Sequence, residues 1–161
     1  MTGLGLMELR LALAVVFFAH GAHTMFGLWP SPGIGAGGVQ ASAAEYRQLG
    51  LHPELLIAII VAGVQVAGGV LLAFGFLTRW ASVALFACVG LGVWTVQRHA
   101  GFFLNWTGAP AAGHGVEYSV ALIGGLLCLV LAGGGEWSID GLRARSKATQ
   151  AAGRARLRGK V

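Results

Sequence analysis

Four long apolar stretches alternate with more polar connectors along this chain, two of them long and one very short. The first runs from about Leu4 to Leu28 and is interrupted by Glu8 and Arg10; the others are Leu55 to Leu77, Trp80 to Val96 and Tyr118 to Leu131. A helix needs about 20 apolar residues to cross a bilayer, because each residue rises about 1.5 Å against a hydrocarbon core about 30 Å thick. The third stretch is at the short end of that range. Thr78-Arg79 leaves so short a connection that the second and third stretches are predicted to form an antiparallel hairpin. The pattern predicts an all-α, integral-membrane four-helix bundle over residues 1–140. A basic tail follows over 141–161, flexible or lying as a surface helix.

The connectors carry their own signals. Leu28 to His52 is rich in Gly, Pro, Ser and Ala, and its second half, Ala41 to Leu49, has the composition of a short surface helix. Gly50-Leu51-His52-Pro53-Glu54 reads as a helix stop and restart, with Pro placed for the first turn. The first stretch has features of a secretory signal: one Arg, nine apolar residues, then Ala19, Gly21 and Ala22. Its apolar character resumes through Met25-Phe26, so it is expected to remain as a span. Within the second stretch, small residues four apart (Ala58 and Ala62, Gly63 and Ala67) suit close approach of membrane helices, and Gln65 is expected to bond across to a neighbour.

Composition removes the soluble alternatives. The 161 residues are 56% hydrophobic and only 11% charged, with a mean hydropathy of +0.73, whereas soluble domains carry about 25% charged residues. The net charge of +5 would suggest nucleic acid were it spread over a folded surface. Instead Arg143, Arg145, Lys147, Arg154, Arg156, Arg158 and Lys160 all follow the last apolar stretch, with no interleaved aromatic motif, so nucleic acid is not an expected partner. With four spans, Arg10, Arg79 and the tail share one side, opposite Arg47 and Arg98. The positive-inside rule then puts both termini in the cytoplasm. Trp80 and Trp137 fall at the inner boundary, Trp29 and Trp106 at the outer one. Cys88 and Cys128 lie inside apolar stretches without metal or disulfide spacing, which reads as inert buried thiols.

On that topology all five histidines gather on the outer face: His20, His23, His52, His99 and His114, with Glu117 beside them. His20 and His23 are three residues apart and share one helix face. Histidine titrates near neutrality, carries protons and ligates metals, and ionisable groups at the rim of a span mark function by default. A quinone-type site would use His20 and His99 as hydrogen-bond donors or proton carriers and Glu117 as proton acceptor. His23, Phe102, Phe103 and Trp106 would hold the ring. A metal ion at His20, His23, His99 and Glu117 has suitable ligand chemistry but ranks behind a quinone, because i, i+3 histidines often arise by chance. His52 and His114 also suit a plain wet interface. On the inner side Arg10 has Glu136 and Asp140 as candidate partners for an ion pair clamping the first helix to the fourth.

Arg10, FFAHGAHTMFG at 17–27, VAGGVLLAFGFLTR at 66–79, RHAGFF at 98–103, GVEY at 115–118 and GGGEWSID at 133–140 together resemble the DoxX family of bacterial inner-membrane proteins. The resemblance implies a four-helix bundle and a membrane subunit of quinone-linked oxidoreductase systems, such as thiosulfate:quinone oxidoreductase. Other relatives are linked to oxidative-stress complexes, metallopeptide biosynthesis or membrane-protein assembly, so a scaffold docking a partner protein is the alternative. A partner oxidoreductase subunit or a homo-oligomer is expected. Two positions depart from the family pattern: Gln65 stands where many relatives carry Glu, and His23 where relatives often carry Gln or another polar residue.

Overall fold

A computed structural model describes residues 2–29, 37–98, 100–105 and 114–158. Six helices are present among them, with no strand: α1 (Thr2–Phe26), α2 (Val39–Gln48), α3 (Glu54–Phe74), α4 (Thr78–Gly92, continued by a π-helical turn Val93–Gln97), α5 (Glu117–Ala132) and α6 (Ile139–Arg158). Three are long and apolar enough to cross a membrane: α1, α3 and α4 with its π-helical turn. The protein is an all-α membrane protein. The expected fourth span is α5, whose 16 residues reach about 24 Å, shorter than the other three.

The helices alternate in direction around one core. Leu13, Ala14 and Phe17 of α1 meet Leu72 of α3, Ala81 and Leu85 of α4, and Leu126 and Leu129 of α5. The α1–α3 contact is close to backbone on backbone. A Cβ on Gly21 would stand 2.7 Å from the Val66 nitrogen, and one on Gly69 2.9 Å from the Phe18 nitrogen. Small residues permit this approach, which replaces the hydrophobic drive that lipid cannot supply. The outward faces are apolar as well: Leu11, Val15, Ile59, Ile60, Val83 and Leu127 are all exposed, as a lipid-facing surface requires.

The α3–α4 turn and the Gly133–Asp140 segment knot one end together. Asp140 accepts hydrogen bonds from the Leu77 and Thr78 backbone N–H groups at 3.0 and 2.9 Å, capping α4. Its own N–H donates to the Gly75 carbonyl at 3.0 Å. Ser138 caps α6 by accepting from the Gly141 N–H at 2.9 Å, an N-cap of ordinary kind. Arg79 donates to the Leu131 carbonyl at 3.0 Å, satisfying one of the open carbonyls at the end of α5.

Arg10 corrects an expectation. It is 1% exposed, yet among the described residues no carboxylate lies within ion-pair distance of it. Its Nη2 donates to the Trp137 carbonyl at 2.7 Å, because Asp140 is engaged at the α4 N-terminus. Glu136 turns outward to Arg145 at 3.2 Å. The clamp between α1 and the segment before α6 therefore exists, made by a side-chain-to-backbone bond instead of an ion pair. The basic tail is helical through Arg158 and starts from the Ser138 cap.

Candidate functional site

At the opposite end, which carries α2, stand the four described histidines: His20 and His23 at the end of α1, His52 before α3 and His114 before α5. His99 and Trp106 lie outside the described residues. Between the helices near this end is a cavity of about 270 Å³. Val16, Phe17 and His20 of α1, Gln65 of α3, Cys88, Val89, Gly92 and Gln97 of the α4 rod, and Tyr118, Ser119 and Leu122 of α5 line it. The volume is just under the usual range for pockets that enclose whole small molecules, so it suits a ring or headgroup. Apolar walls with a few convergent polar groups are the ordinary make-up of a ligand site.

The π-helical turn decides which polar group enters from α4. Cys88 and Gly92 are four residues apart, and the next cavity-lining residue, Gln97, follows five later. In an unbroken α-helix, at 3.6 residues per turn, the residue continuing that face would be Val96, and Gln97 would point well away. The wider turn rotates Gln97 in and leaves Val96 60% exposed. Single π-turns of this kind are frequent at functional sites. Thr95 Oγ1 donates to the Leu91 carbonyl at 2.8 Å across the region. Once inside, Gln97 is held by Ser119, whose hydroxyl donates to Gln97 Oε1 at 2.7 Å.

His20 and Gln65 are left with open hydrogen-bonding capacity. His20 Nδ1 lies 2.9 Å from the Val16 carbonyl. A carbonyl can only accept, so Nδ1 carries the hydrogen, and Nε2 has a lone pair whenever the ring is uncharged. Gln65 Oε1 is buried without a hydrogen-bond donor, contrary to the expectation that this side chain would bond across helices. Gly21 of α1 packs against the base of Gln65: a Cβ there would stand 2.8 Å from Gln65 Cβ. His20 also lines a second pocket of about 170 Å³ with Ala19, His23 and Trp29, so its ring borders both the bundle interior and the α2 end.

The other anticipated residues do different things. His23 Nδ1–H donates to the Leu28 carbonyl at 2.9 Å, and its own carbonyl accepts from the Gly27 and Gly38 N–H groups at 2.8 Å each. His23 thus organises the chain leaving α1. Glu117 opens α5, and its carboxylate accepts from the Leu104 N–H at 3.1 Å while its N–H donates to the Phe102 carbonyl. It fastens the 101–104 loop and does not line the cavity. Phe102 and Phe103 pack edge to face, centroids 5.2 Å apart. Both are exposed, and neither lines the cavity. His52 and Arg47 both reach Glu54, at 3.1 and 2.6 Å, tying α2 to α3. Tyr46 of α2 is half-buried, and that burial raises its phenol above the ordinary value, with smaller contributions from Cys88 and Glu45.

Among the described residues, no three of His, Cys, Asp and Glu stand together as a metal-binding group. The cavity residues that sequence reasoning missed are Gln97, Ser119, Tyr118 and Cys88. Only Gln97 had a detectable signal, as a polar residue at the end of an apolar run, and its inward direction depends on the π-turn.

The profile of the DoxX family matches residues 5–98, a range holding α1, α3, α4 and the π-turn, and hence every cavity wall but α5. The chain is also similar to a protein of Mycobacterium tuberculosis (strain ATCC 25618 / H37Rv) described as "Uncharacterized membrane protein Rv3486". The two are 28% identical over 148 residues, which cover 90% of this chain and 83% of that one. No solved structure matches. With more than half its length matched by the family profile, and with the helical membrane fold that the match implies, this chain belongs to the DoxX family.

Proposed function

We propose that this protein is a small membrane subunit of a quinone-linked oxidoreductase, and that the cavity among α1, α3, α4 and α5 takes the quinone ring. The family is often linked to quinone-related oxidoreductases. The observation that carries the proposal is that one cavity is lined both by Gln65, whose Oε1 is buried and unpartnered, and by His20, whose Nδ1 is committed to Val16. A buried acceptor without a donor is costly. The O–H of the reduced ring answers it, while the carbonyls of the oxidised ring accept from the Gln97 amide and the Tyr118 hydroxyl of the same cavity. A quinone bound here would supply two-electron, two-proton chemistry.

Within that proposal each residue has a part. Gln65 and the Gln97–Ser119 pair orient the ring from opposite walls, and Phe17, Val16 and Leu122 exclude water. His20 exchanges a proton between the cavity and the second pocket, which opens toward Trp29 at the α2 end. Glu117 keeps the 101–104 loop in place above. Electrons would come from a partner subunit. Arg10, Arg79 and the basic α6 lie at the far end, against Arg47 and Arg98 at the α2 end. That asymmetry supports a bacterial inner-membrane orientation with both termini cytoplasmic and the cavity toward the outer face.

A scaffold or assembly role is the second reading, favoured by the exposed Phe102–Phe103 pair at the α2 end. A titration of detergent-purified protein with a short-chain quinone, followed by tryptophan fluorescence, separates the two. Saturable quenching that weakens in His20→Ala supports the quinone proposal, with Trp29 as the near reporter. Equal, unsaturable quenching in both proteins means partitioning into detergent, and the scaffold reading takes over.

A further inference from the structure

We infer that the cavity is built to hold the reduced, dihydroxy form of its ring in preference to the oxidised, dicarbonyl form. The inference rests on the proposal that this cavity takes a quinone, and it follows from which hydrogens are already committed. Val16 takes the Nδ1 hydrogen of His20, leaving a lone pair at Nε2. Gln97 takes the hydroxyl hydrogen of Ser119, leaving the lone pairs of Ser119 Oγ. Gln65 Oε1 receives nothing. These three atoms, on three different helices, therefore accept, His20 Nε2 doing so while its ring is uncharged.

A quinone carbonyl can only accept, so against any of these it leaves two oxygens, or an oxygen and a nitrogen, facing each other without a hydrogen. A hydroquinone O–H donates to such a group. Its oxygen can still accept from the Gln65 or Gln97 amide N–H groups or the Tyr118 hydroxyl, so the donors in the cavity serve either form while the acceptors serve only one. Satisfying one buried acceptor that is otherwise unpaired corresponds to about a tenfold gain in affinity. A tenfold preference for the reduced form raises the two-electron potential of the bound couple by about 30 mV. The site would then favour reduction of the ring where it sits, with release of hydroquinone to the bilayer following.

The test measures affinity directly. The full-length protein in detergent, held anaerobically, is titrated in a calorimeter with three probes built on one tetramethyl ring: tetramethyl-1,4-benzoquinone, its hydroquinone, and the dimethyl ether of that hydroquinone, which is larger by two methyl groups and cannot donate. The hydroquinone is expected to bind about tenfold more tightly than the quinone, with the ether no better than the quinone. Gln65→Leu is expected to bring the hydroquinone-to-quinone ratio toward one by loss of hydroquinone affinity. Saturable binding of the quinone as tightly as the hydroquinone in wild type overturns the inference and leaves the quinone proposal standing. Absence of saturable binding by any probe overturns both. The wild-type ratio decides the matter even if Gln65→Leu fails to fold.

Discussion

Arg10 reaches from the first helix to donate a hydrogen bond to the backbone carbonyl of Trp137, 127 positions later, at 2.7 Å. Its guanidinium occupies the space where a side chain on Gly75 would stand, and Gly75 itself is left-handed at φ 64°. Nε and Nη1 of Arg10 have no hydrogen-bond partner. The arginine is therefore a positional lock, with part of its hydrogen-bonding capacity unused.

That arrangement predicts a specific coupling between residues 10 and 75. Gly75→Ala pays for the left-handed backbone, about 1–2 kcal/mol, and also displaces the guanidinium. Arg10→Met removes one hydrogen bond but also two buried nitrogens whose N–H groups are unsatisfied, so its own cost is expected to be about 2 kcal/mol or less. Thermal unfolding in detergent should show the double variant less destabilised than the sum of the two. Strict additivity would mean that the two residues do not share the space.

Asp140 holds the N-terminus of α4 through two backbone bonds. Asp140→Ala is expected to cost about 1–2 kcal/mol. Asp140→Asn keeps one accepting oxygen and should retain part of that. The same unfolding measurement checks the order wild type, Asn, Ala.

Gly21 sets both the α1–α3 distance and the position of Gln65. Gly21→Ala places a carbon 2.7 Å from the Val66 nitrogen, so the helices must separate locally, at a cost of about 1–3 kcal/mol. Because Gln65 moves with α3, the hydroquinone preference should fall in the same variant. Lowered stability with an unchanged preference would detach the cavity from the helix contact.

The π-turn accounts for Gln97 facing inward, which makes a deletion informative. Removing Val96, exposed on the outer side of the turn, shortens the step from Gly92 to the glutamine to the four residues of an ordinary helix. Gln97 should then still reach the cavity, and probe affinities should stay within a few-fold of wild type. Gln97→Leu, which keeps the turn and loses the amide, should weaken binding of both ring forms, as read by the same calorimetry.

Much of the fold was legible in the sequence because bilayer length and apolarity act on whole segments. The helix stop and restart at Gly50–Glu54, the α3–α4 hairpin and the surface helix expected over Ala41 to Leu49 followed from Gly, Pro and composition. The turn of the hairpin, however, is 75–77, and Thr78-Arg79 already open α4. The site was less legible, because its residues are defined by direction. His20 and His23 share a helix face, yet their Nδ1 atoms go to different carbonyls and only His20 borders the cavity. Gln97 enters through a register change that no periodicity reveals. Arg10 was recognised as a clamp, but its partner is a backbone carbonyl, and a backbone atom has no sequence signature.

The central claim is that a quinone ring occupies the cavity beside Cys88, and the two free cysteines test it within one molecule. Cys88 lines the cavity, whereas Cys128 is exposed on α5 outside it. The measurement is the rate of N-ethylmaleimide modification at each thiol, read by peptide mass spectrometry, with and without saturating tetramethyl-1,4-benzoquinone, whose substituted ring has no open position for thiol addition. Slower modification of Cys88 with Cys128 unchanged is the predicted result. Equal rates at Cys88 with and without the probe would contradict the claim.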